Sequence, residues 1–103
     1  MRFAGNGTND AFESDPSVMF ISSHQAGAYP GTGKVQQVGK GDGEGYSMNV
    51  PMPGGSGDAS YHSLWEEVVE PAIDRFKPDM ILVSAGAPHT CSLLGKTMRA
   101  HAY

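Results

Sequence analysis

The side chains that could do chemistry in this 103-residue chain are few and widely spaced. The four histidines are His24, His62, His89 and His101. No two of them stand at the i, i+4 spacing that places two metal ligands on one helical face. The single cysteine, Cys91, excludes an internal disulfide and a multi-cysteine metal site. Only His24 follows a run that predicts a strand, and we favour a hydrogen-bonded structural role for it over metal ligation.

Two glycine-rich motifs suggest ligand binding, and both lack parts that the chemistry needs. The run Gly-Thr-Gly-Lys at 31–34 resembles the end of a phosphate-binding loop. However, Val35 stands where that loop needs Ser or Thr to reach Mg²⁺, and Ala28 stands where it needs its first glycine. The acidic glycine run 41–45 lacks the third acidic position and the later bidentate Glu of a calcium loop. We predict neither site and interpret 41–45 as a flexible solvated turn.

Composition argues against several classes of protein. The chain has 7 Lys+Arg against 11 Asp+Glu, a net charge of −4, so no basic stripe is available to bind nucleic acid. The longest clear apolar run, 80–83, is too short to span a membrane. The first residues contain no apolar h-region, which predicts no secretory signal. These observations favour a soluble intracellular protein without a membrane partner.

The elements that must position these residues follow an α/β order. Thr8 is expected to cap a short helix, and the Pro16 region predicts a turn after it. The apolar run 18–21 leads into Ser22-Ser23-His24 and predicts a buried strand of a parallel sheet, with polar groups at its carboxyl end. Residues 80–83 predict a second buried strand. Between them, 25–57 is interpreted as a loop with one short extended piece at 46–50.

A helix is predicted between the loop and the second strand. Asp58 is the expected N-cap, and 77–79 the expected end. Apolar residues at spacings of three and four give one apolar face over about five turns; they are Tyr61, Leu64, Trp65, Val68, Ala72 and Phe76. Pro71 removes a backbone hydrogen bond, which predicts a kink near Glu67. Strand, loop, helix and strand in this order predict a right-handed βαβ-type crossover.

Several ordered blocks together resemble the zinc-dependent histone deacetylase family, in the class II-like type of plants and bacteria. The blocks are Gly5-Asn6-Gly7-Thr8, Asp15-Pro16-Ser17-Val18, Ile21-Ser22-Ser23-His24, Tyr29-Pro30-Gly31-Thr32-Gly33, the runs 39–46 and 49–51, Gly57-Asp58, and 77–86. The resemblance implies a partial arginase/deacetylase-like three-layer α/β fold with an incomplete parallel sheet. It assigns residues 1–86 to a partial deacetylase domain and leaves 87–103 as a divergent, poorly anchored tail.

The resemblance also implies a chemistry and shows which of its parts are missing. The family hydrolyses the amide of acetyl-lysine with one Zn²⁺, held by two aspartates and one histidine. Met1, Phe3 and Pro88 stand at the positions of those three ligands. The family's paired histidines and oxyanion-stabilising tyrosine match no residue of this chain. We therefore predict that the isolated chain neither binds catalytic zinc tightly nor deacetylates.

The supporting positions of the family are present. By resemblance, Asn6 matches a position beside the paired histidines, and Tyr29 matches a wall of the acetyl-lysine tunnel that Gly31 and Gly33 shape. Ser22, with the Ser23 carbonyl, matches a monovalent-cation site for K⁺. A second such site, formed mainly by carbonyl oxygens, matches Phe12, Asp15, Val18 and Tyr46.

Three interpretations of function stay open. The first is a fragment of a deacetylase whose parent acts on acetylated histone or non-histone protein. The second is a non-catalytic regulatory piece that pairs with an intact deacetylase through exposed strand edges and the Trp65 helix face. The third is a fragment of an acetylpolyamine amidohydrolase, which differs in substrate and not in mechanism. The family implies nucleus or cytoplasm, with an organelle also open, and the ends at Ala4 and Gly86 suggest a truncated gene or splice product.

Overall fold

A computed structural model describes residues 6–27 and 33–84. The chain divides into two compact units, the first within residues 2–55 and the second within 56–103. None of the helices in the described ranges has both the length and the apolar character of a bilayer span. The α/β class with a parallel sheet, expected from the sequence, is confirmed.

The first unit begins with helix α1 (Asn6–Phe12) and a tight turn. Thr8 is the third residue of α1, so its expected role as the cap is wrong. The predicted turn after the helix is confirmed, because the Asp15 N–H donates to the Phe12 carbonyl at 3.0 Å. The Asp15 carboxylate accepts the Ser17 N–H at 2.9 Å and the Ser17 hydroxyl at 2.6 Å. This local pairing competes with further helix and directs the chain toward the sheet.

The sheet of the first unit consists of two parallel strands, β1 (Phe20–Gln25) and β2 (Ser47–Met52). Their register runs from Phe20 opposite Ser47 to Gln25 opposite Met52. β1 starts two residues later than the apolar run suggested. The extended piece predicted at 46–50 is a full strand, although its region was interpreted as mostly loop. Its pattern was hard to recognise because buried polar residues alternate with apolar ones along it.

The two faces of this sheet differ in chemistry. Side chains alternate along each strand, and paired residues share a face. One face carries the polar side chains Ser22, His24, Ser47 and Asn49, of which the last three are buried. Phe20 and Pro51 lie on this face as well. The opposite face carries Ile21, Met48, Val50 and Met52 together with the exposed Ser23 and Gln25. Buried polar groups need hydrogen-bond partners, and those of His24 and Asn49 come from residues 33–37.

The glycine run predicted to be a flexible solvated turn is an ordered 3-10 turn, Gly41–Gly43, packed against the loop after α1. The Lys40 N–H donates to the Glu13 carbonyl at 2.7 Å, and Lys40 Nζ lies 2.8 Å from Glu13 Oε1. A Cβ on Gly43 would lie 2.5 Å from the Glu13 carbonyl oxygen. Only glycine allows so close an approach of two backbones.

The second unit is a continuous helical run made of α2 (Asp58–Leu64), a π-helical turn (Trp65–Val69) and α3 (Glu70–Phe76). The N-cap residue is Gly57, and Asp58 is the first helical residue, so the predicted cap is displaced by one position. The predicted apolar face is confirmed, with Leu64 and Ala72 buried. Lys77 adopts a left-handed conformation with φ of 52° and ends the helix at the expected place.

Where Pro71 predicts a kink near Glu67, the helix forms the π-helical turn. Proline has no N–H to donate to the carbonyl four residues earlier, which belongs to Glu67. The Glu70 N–H instead bonds to the Trp65 carbonyl, five residues back. A widened turn of this kind accommodates the missing hydrogen bond inside an otherwise continuous helix.

The predicted second buried strand at 80–83 is wrong. This segment follows α3 without strand structure, and Met80 and Leu82 are 75% and 88% exposed. The expected helical crossover between β1 and this strand is wrong as well, because β1 pairs with β2. An apolar run predicts that a segment tends to be buried, but a strand also requires a neighbour to complete its hydrogen bonds.

Candidate functional site

A buried polar cluster lies at the carboxyl end of the sheet and centres on His24. The His24 ring is buried, with Nε2 at 2.9 Å from the Gly33 carbonyl oxygen and Nδ1 at 3.2 Å from Ser22 Oγ. Because a carbonyl can only accept, Nε2 carries the proton and the Nδ1 of a neutral ring accepts from the Ser22 hydroxyl. Both ring nitrogens therefore have partners, as expected for a structural histidine.

Gly33 permits this contact through its backbone conformation and its lack of a side chain. Its φ is +78°, a left-handed value that favours glycine. A Cβ at this position would lie 2.5 Å from His24 Cε1, 2.6 Å from His24 Nε2 and 3.3 Å from Asn49 Oδ1. Gly33 was expected by resemblance to shape this loop, and its geometry is consistent with that role.

Gln37 and Asn49 complete the cluster, and sequence reasoning missed both. Gln37 Oε1 accepts the N–H groups of Gly33 and Lys34, each at 2.7 Å. Asn49 is buried, and its Nδ2 donates to the Gln37 carbonyl at 2.9 Å. We call His24, Gly33, Gln37 and Asn49 the polar clamp. The alternation of Ser47 and Asn49 with apolar residues was the only sequence signal of a buried polar strand face.

A second cluster lies at the amino end of the strands. The Phe12 carbonyl accepts from the Asp15 N–H at 3.0 Å, the Asp15 carbonyl accepts from the Val18 N–H at 3.3 Å, and the Tyr46 carbonyl accepts from the Phe20 N–H at 2.9 Å. The first two bonds lie in the turn after α1, and the third joins Tyr46 to the first residue of β1.

The Asp15 carboxylate adds negative charge to this amino-end cluster. The hydroxyl of Ser17, and then its N–H, donate to the carboxylate and hold the pKa of Asp15 below its ordinary value. The Lys40 ammonium bonds to Glu13 Oε1 at 2.8 Å, and that bond raises the pKa of Lys40. Both groups therefore stay charged near neutral pH.

The other expected site residues are placed less completely. Ser22 lies half-buried in β1 and bonds to His24, whereas Ser23 is exposed and belongs to the opposite face of the sheet. Asn6 is the first residue of α1. Tyr29 and Gly31 lie outside the described residues. So do the positions matched to the zinc ligands, and with them His89, Cys91, His101 and the tail at 87–103.

The described part of the chain does not fit a zinc centre. Within 6–27 and 33–84, no group of three or more His, Cys, Asp or Glu side chains is arranged to hold a metal ion. His62 lies on the exposed side of α2, as predicted, with Nδ1 at 3.3 Å from Glu66 Oε1. His24 uses both ring nitrogens in hydrogen bonds.

Comparison with known proteins shows which family the chain matches. The family profile described as "Histone deacetylase domain" matches residues 3–92. The chain is 60% identical over 82 residues to "Histone deacetylase 14, chloroplastic" of Arabidopsis thaliana, covering 80% of this chain and 19% of that protein. It is 61% identical to "Histone deacetylase 10, chloroplastic" of Oryza sativa subsp. japonica, covering 80% of this chain and 18% of that protein.

Solved structures give the same assignment. The HDA15 HD domain superposes with a TM-score of 0.79 at 44% identity, over 82% of this chain and 25% of the other. The histone deacetylase Clr3 superposes with a TM-score of 0.78 at 39% identity, over 82% of this chain and 15% of the other. The chain thus spans between 15% and 25% of the length of these four matched chains. It belongs to the histone deacetylase family and forms part of a histone deacetylase domain.

Proposed function

We propose that this chain is the supporting part of a metal-dependent deacetylase domain that hydrolyses the amide of acetyl-lysine in proteins. In that role it supplies monovalent-cation sites and a wall of the substrate channel, and it does not carry out the hydrolysis by itself. The observation that supports this role best is the turn after α1, which carries the Phe12 and Asp15 carbonyls together with the Asp15 carboxylate, whose pKa is lowered by Ser17. Neutral oxygens grouped around one anion are suitable ligands for a hard cation such as K⁺.

The zinc part of the proposal rests on the sequence. Met1, Phe3 and Pro88 occupy the positions matched to the three ligands, and none of these side chains offers the carboxylate or imidazole that the site needs. Zinc, where an intact domain binds it, polarises the acetyl carbonyl and activates a water molecule. The residues that we assign to this chain would instead hold the substrate side chain, namely Tyr29 with Gly31, and order the loops, namely Ser22, Ser23 and the amino-end cluster.

Substrate and compartment of the whole protein are also proposals. The family supports acetylated histone or non-histone protein as substrate. Two relatives carry "chloroplastic" in their names at 60% and 61% identity, which supports an organelle for the parent protein.

The cation role is tested by comparing thermal unfolding of the 103-residue chain in KCl, NaCl and choline chloride at equal ionic strength. We expect a higher Tm in KCl, because a ligand that binds only the folded state stabilises it. The variant Gly7→Ala, whose added Cβ in α1 would meet nothing within 4 Å, serves as the control and should show the same dependence on salt as the parent chain. Equal Tm values in the three salts would contradict the cation role.

The catalytic part is tested by isothermal titration with Zn²⁺ and by acetate release from an acetyl-lysine peptide. We expect no tight one-to-one complex and no turnover from protein purified free of host deacetylases. Turnover that is lost on chelation and restored by Zn²⁺ would show that the chain is itself an enzyme.

A second candidate function is regulatory pairing with an intact deacetylase. The observation that favours it is the exposed apolar segment Met80, Ile81, Leu82 and Val83. Such a segment can add to the edge of a partner's sheet. Co-purification with a full-length family member should be lost in Leu82→Lys and retained in Val35→Lys, a change at an apolar residue that is 59% exposed in the first unit. If both variants bind as the parent does, the segment is not the pairing surface.

A further inference from the structure

We propose that His24, Gln37 and Asn49 are positioning residues that fix the Gly33–Lys34 peptide, and thereby the place where the chain returns from residues 28–32. That segment carries Tyr29, to which the proposed function gives the channel wall. The inference rests on the proposed function for the role of Tyr29 only. The clamp itself rests on contacts among described residues.

One peptide group is held from both of its polar ends. The carbonyl of Gly33 accepts from His24 Nε2 at 2.9 Å, and the N–H of Lys34, in the same peptide group, donates to Gln37 Oε1 at 2.7 Å. The N–H of Gly33 donates to the same oxygen at 2.7 Å. A peptide whose carbonyl and N–H are both held cannot rotate without breaking one of these bonds. Its orientation therefore depends on side chains rather than on a backbone ladder.

The clamp is attached to both strands of the sheet. His24 lies in β1, while Asn49 lies in β2 and donates to the Gln37 carbonyl at 2.9 Å. Asn49 pairs with Ser22, so His24 and Asn49 belong to the same face. Their exposures are 8% and 6%, so loss of either partner would leave a buried polar group without its hydrogen bond. The strands thus provide a rigid base for the loop.

Substitutions can remove the hydrogen bonds of the polar clamp at His24 or at Gln37 separately. His24→Leu removes the donor to the Gly33 carbonyl, and Gln37→Met removes the oxygen that accepts two N–H groups. Gln37→Glu retains an acceptor oxygen, and a carboxylate accepts more strongly than an amide. The control is Gln36→Met, a change at an exposed neighbour.

Limited trypsin digestion of the full chain measures opening of the clamp, because trypsin cuts after Lys34. Cleavage after Lys40, which is paired with Glu13, provides the internal reference. We expect cleavage after Lys34 to be about tenfold faster in His24→Leu and Gln37→Met, and parental in Gln37→Glu and Gln36→Met. The proposal is overturned if cleavage after Lys34 does not change, or if cleavage after Lys40 rises equally, since the latter indicates general loosening.

A second measurement reads the position of residue 29. Tyr29→Trp in a Trp65→Phe background gives the chain a single tryptophan at that position. Acrylamide quenching of its fluorescence should change about twofold with His24→Leu or Gln37→Met and should return to the parental value with Gln37→Glu. Unchanged quenching despite faster cleavage would overturn the positioning role. Neither readout depends on cation binding or turnover, so failure here is distinguishable from failure of the proposed function.

Discussion

The two units of this chain are stabilised by contacts of different range. In the first unit, side-chain hydrogen bonds join distant residues, such as Lys40 with Glu13, 27 positions apart, and Asn49 with Gln37, 12 apart. In the second unit, the Trp65–Glu70 hydrogen bond and the His62–Glu66 contact join residues four or five apart on one helical run. The first unit therefore depends on contacts between residues that are distant in sequence. The second depends on local helical contacts, in a run that contains one proline. Substitutions should affect the two regions differently.

The largest effect is expected where two backbones meet in the first unit. Gly39 has φ of +101°, and a Cβ there would lie 2.2 Å from the Gly43 carbonyl oxygen. Gly39→Ala should lower the free energy of unfolding by about 4 kcal/mol, since strained backbone and overpacking add. The measurement is urea unfolding followed by hydrogen exchange of β1 amides.

Gly7→Ala is the matched control for that substitution. Gly7 lies within α1, and an added Cβ would meet nothing within 4 Å. We expect it to raise the free energy of unfolding by about 0.5–1 kcal/mol, because alanine is the better helix former. If Gly39→Ala and Gly7→Ala changed the free energy of unfolding equally, the first unit would not depend on the close backbone contact at Gly39.

Within the second unit, two leucines should differ sharply. Leu64 is 9% exposed and Leu82 is 88% exposed. Leu64→Ala should cost about 2–3 kcal/mol, whereas Leu82→Ala should change stability by less than about 0.5 kcal/mol. Fluorescence of Trp65, the single tryptophan, follows unfolding of this unit. A large loss of stability in Leu82→Ala would mean that the 80–83 segment is packed in solution.

Pro71→Ala tests whether the π-helical turn is caused by the proline. An alanine at this position can donate to the Glu67 carbonyl and restore regular α-helical bonding. We expect about 1 kcal/mol of added stability and more helical signal in far-ultraviolet circular dichroism. Persistence of the Glu70-to-Trp65 bond in Pro71→Ala, measured by amide exchange, would assign the turn to packing instead.

The smallest effect concerns the turn after α1 and depends on pH. The Ser17 hydroxyl lowers the pKa of Asp15, so its bond stabilises the fold above the unfolded-state pKa and is lost as pH falls through the folded-state pKa. Ser17→Ala should raise the pKa of Asp15 in an NMR titration. Its stability deficit at neutral pH should disappear in acid below that pKa. A deficit independent of pH would indicate that Ser17 acts through the backbone alone.

The candidate site was only partly accessible from sequence. The residues around 12–18 and 46 were identified through a resemblance alone, and their role in a cation site stays a prediction. His24 was recognised because it follows an apolar run. Gln37 was not recognised, because an exposed glutamine in a loop has no periodicity, and its role comes from two N–H groups that converge on its side-chain oxygen. Asn49 was not recognised either, because its hydrogen-bond partner is 12 positions away along the chain.

The sequence by itself determined the local elements and the family: the helical run through the spacing of its apolar residues, an irregularity in that run through Pro71, and the turn at 13–17 through Asp15 and Pro16. Only the tertiary structure decided which strands pair. β1 joins β2, whose inward residues Ser47 and Asn49 are polar, while the more apolar 80–83 segment remains exposed. The physical reason is that helix bonds close within five residues, whereas a strand is completed only by a distant neighbour that satisfies its backbone and its buried polar face.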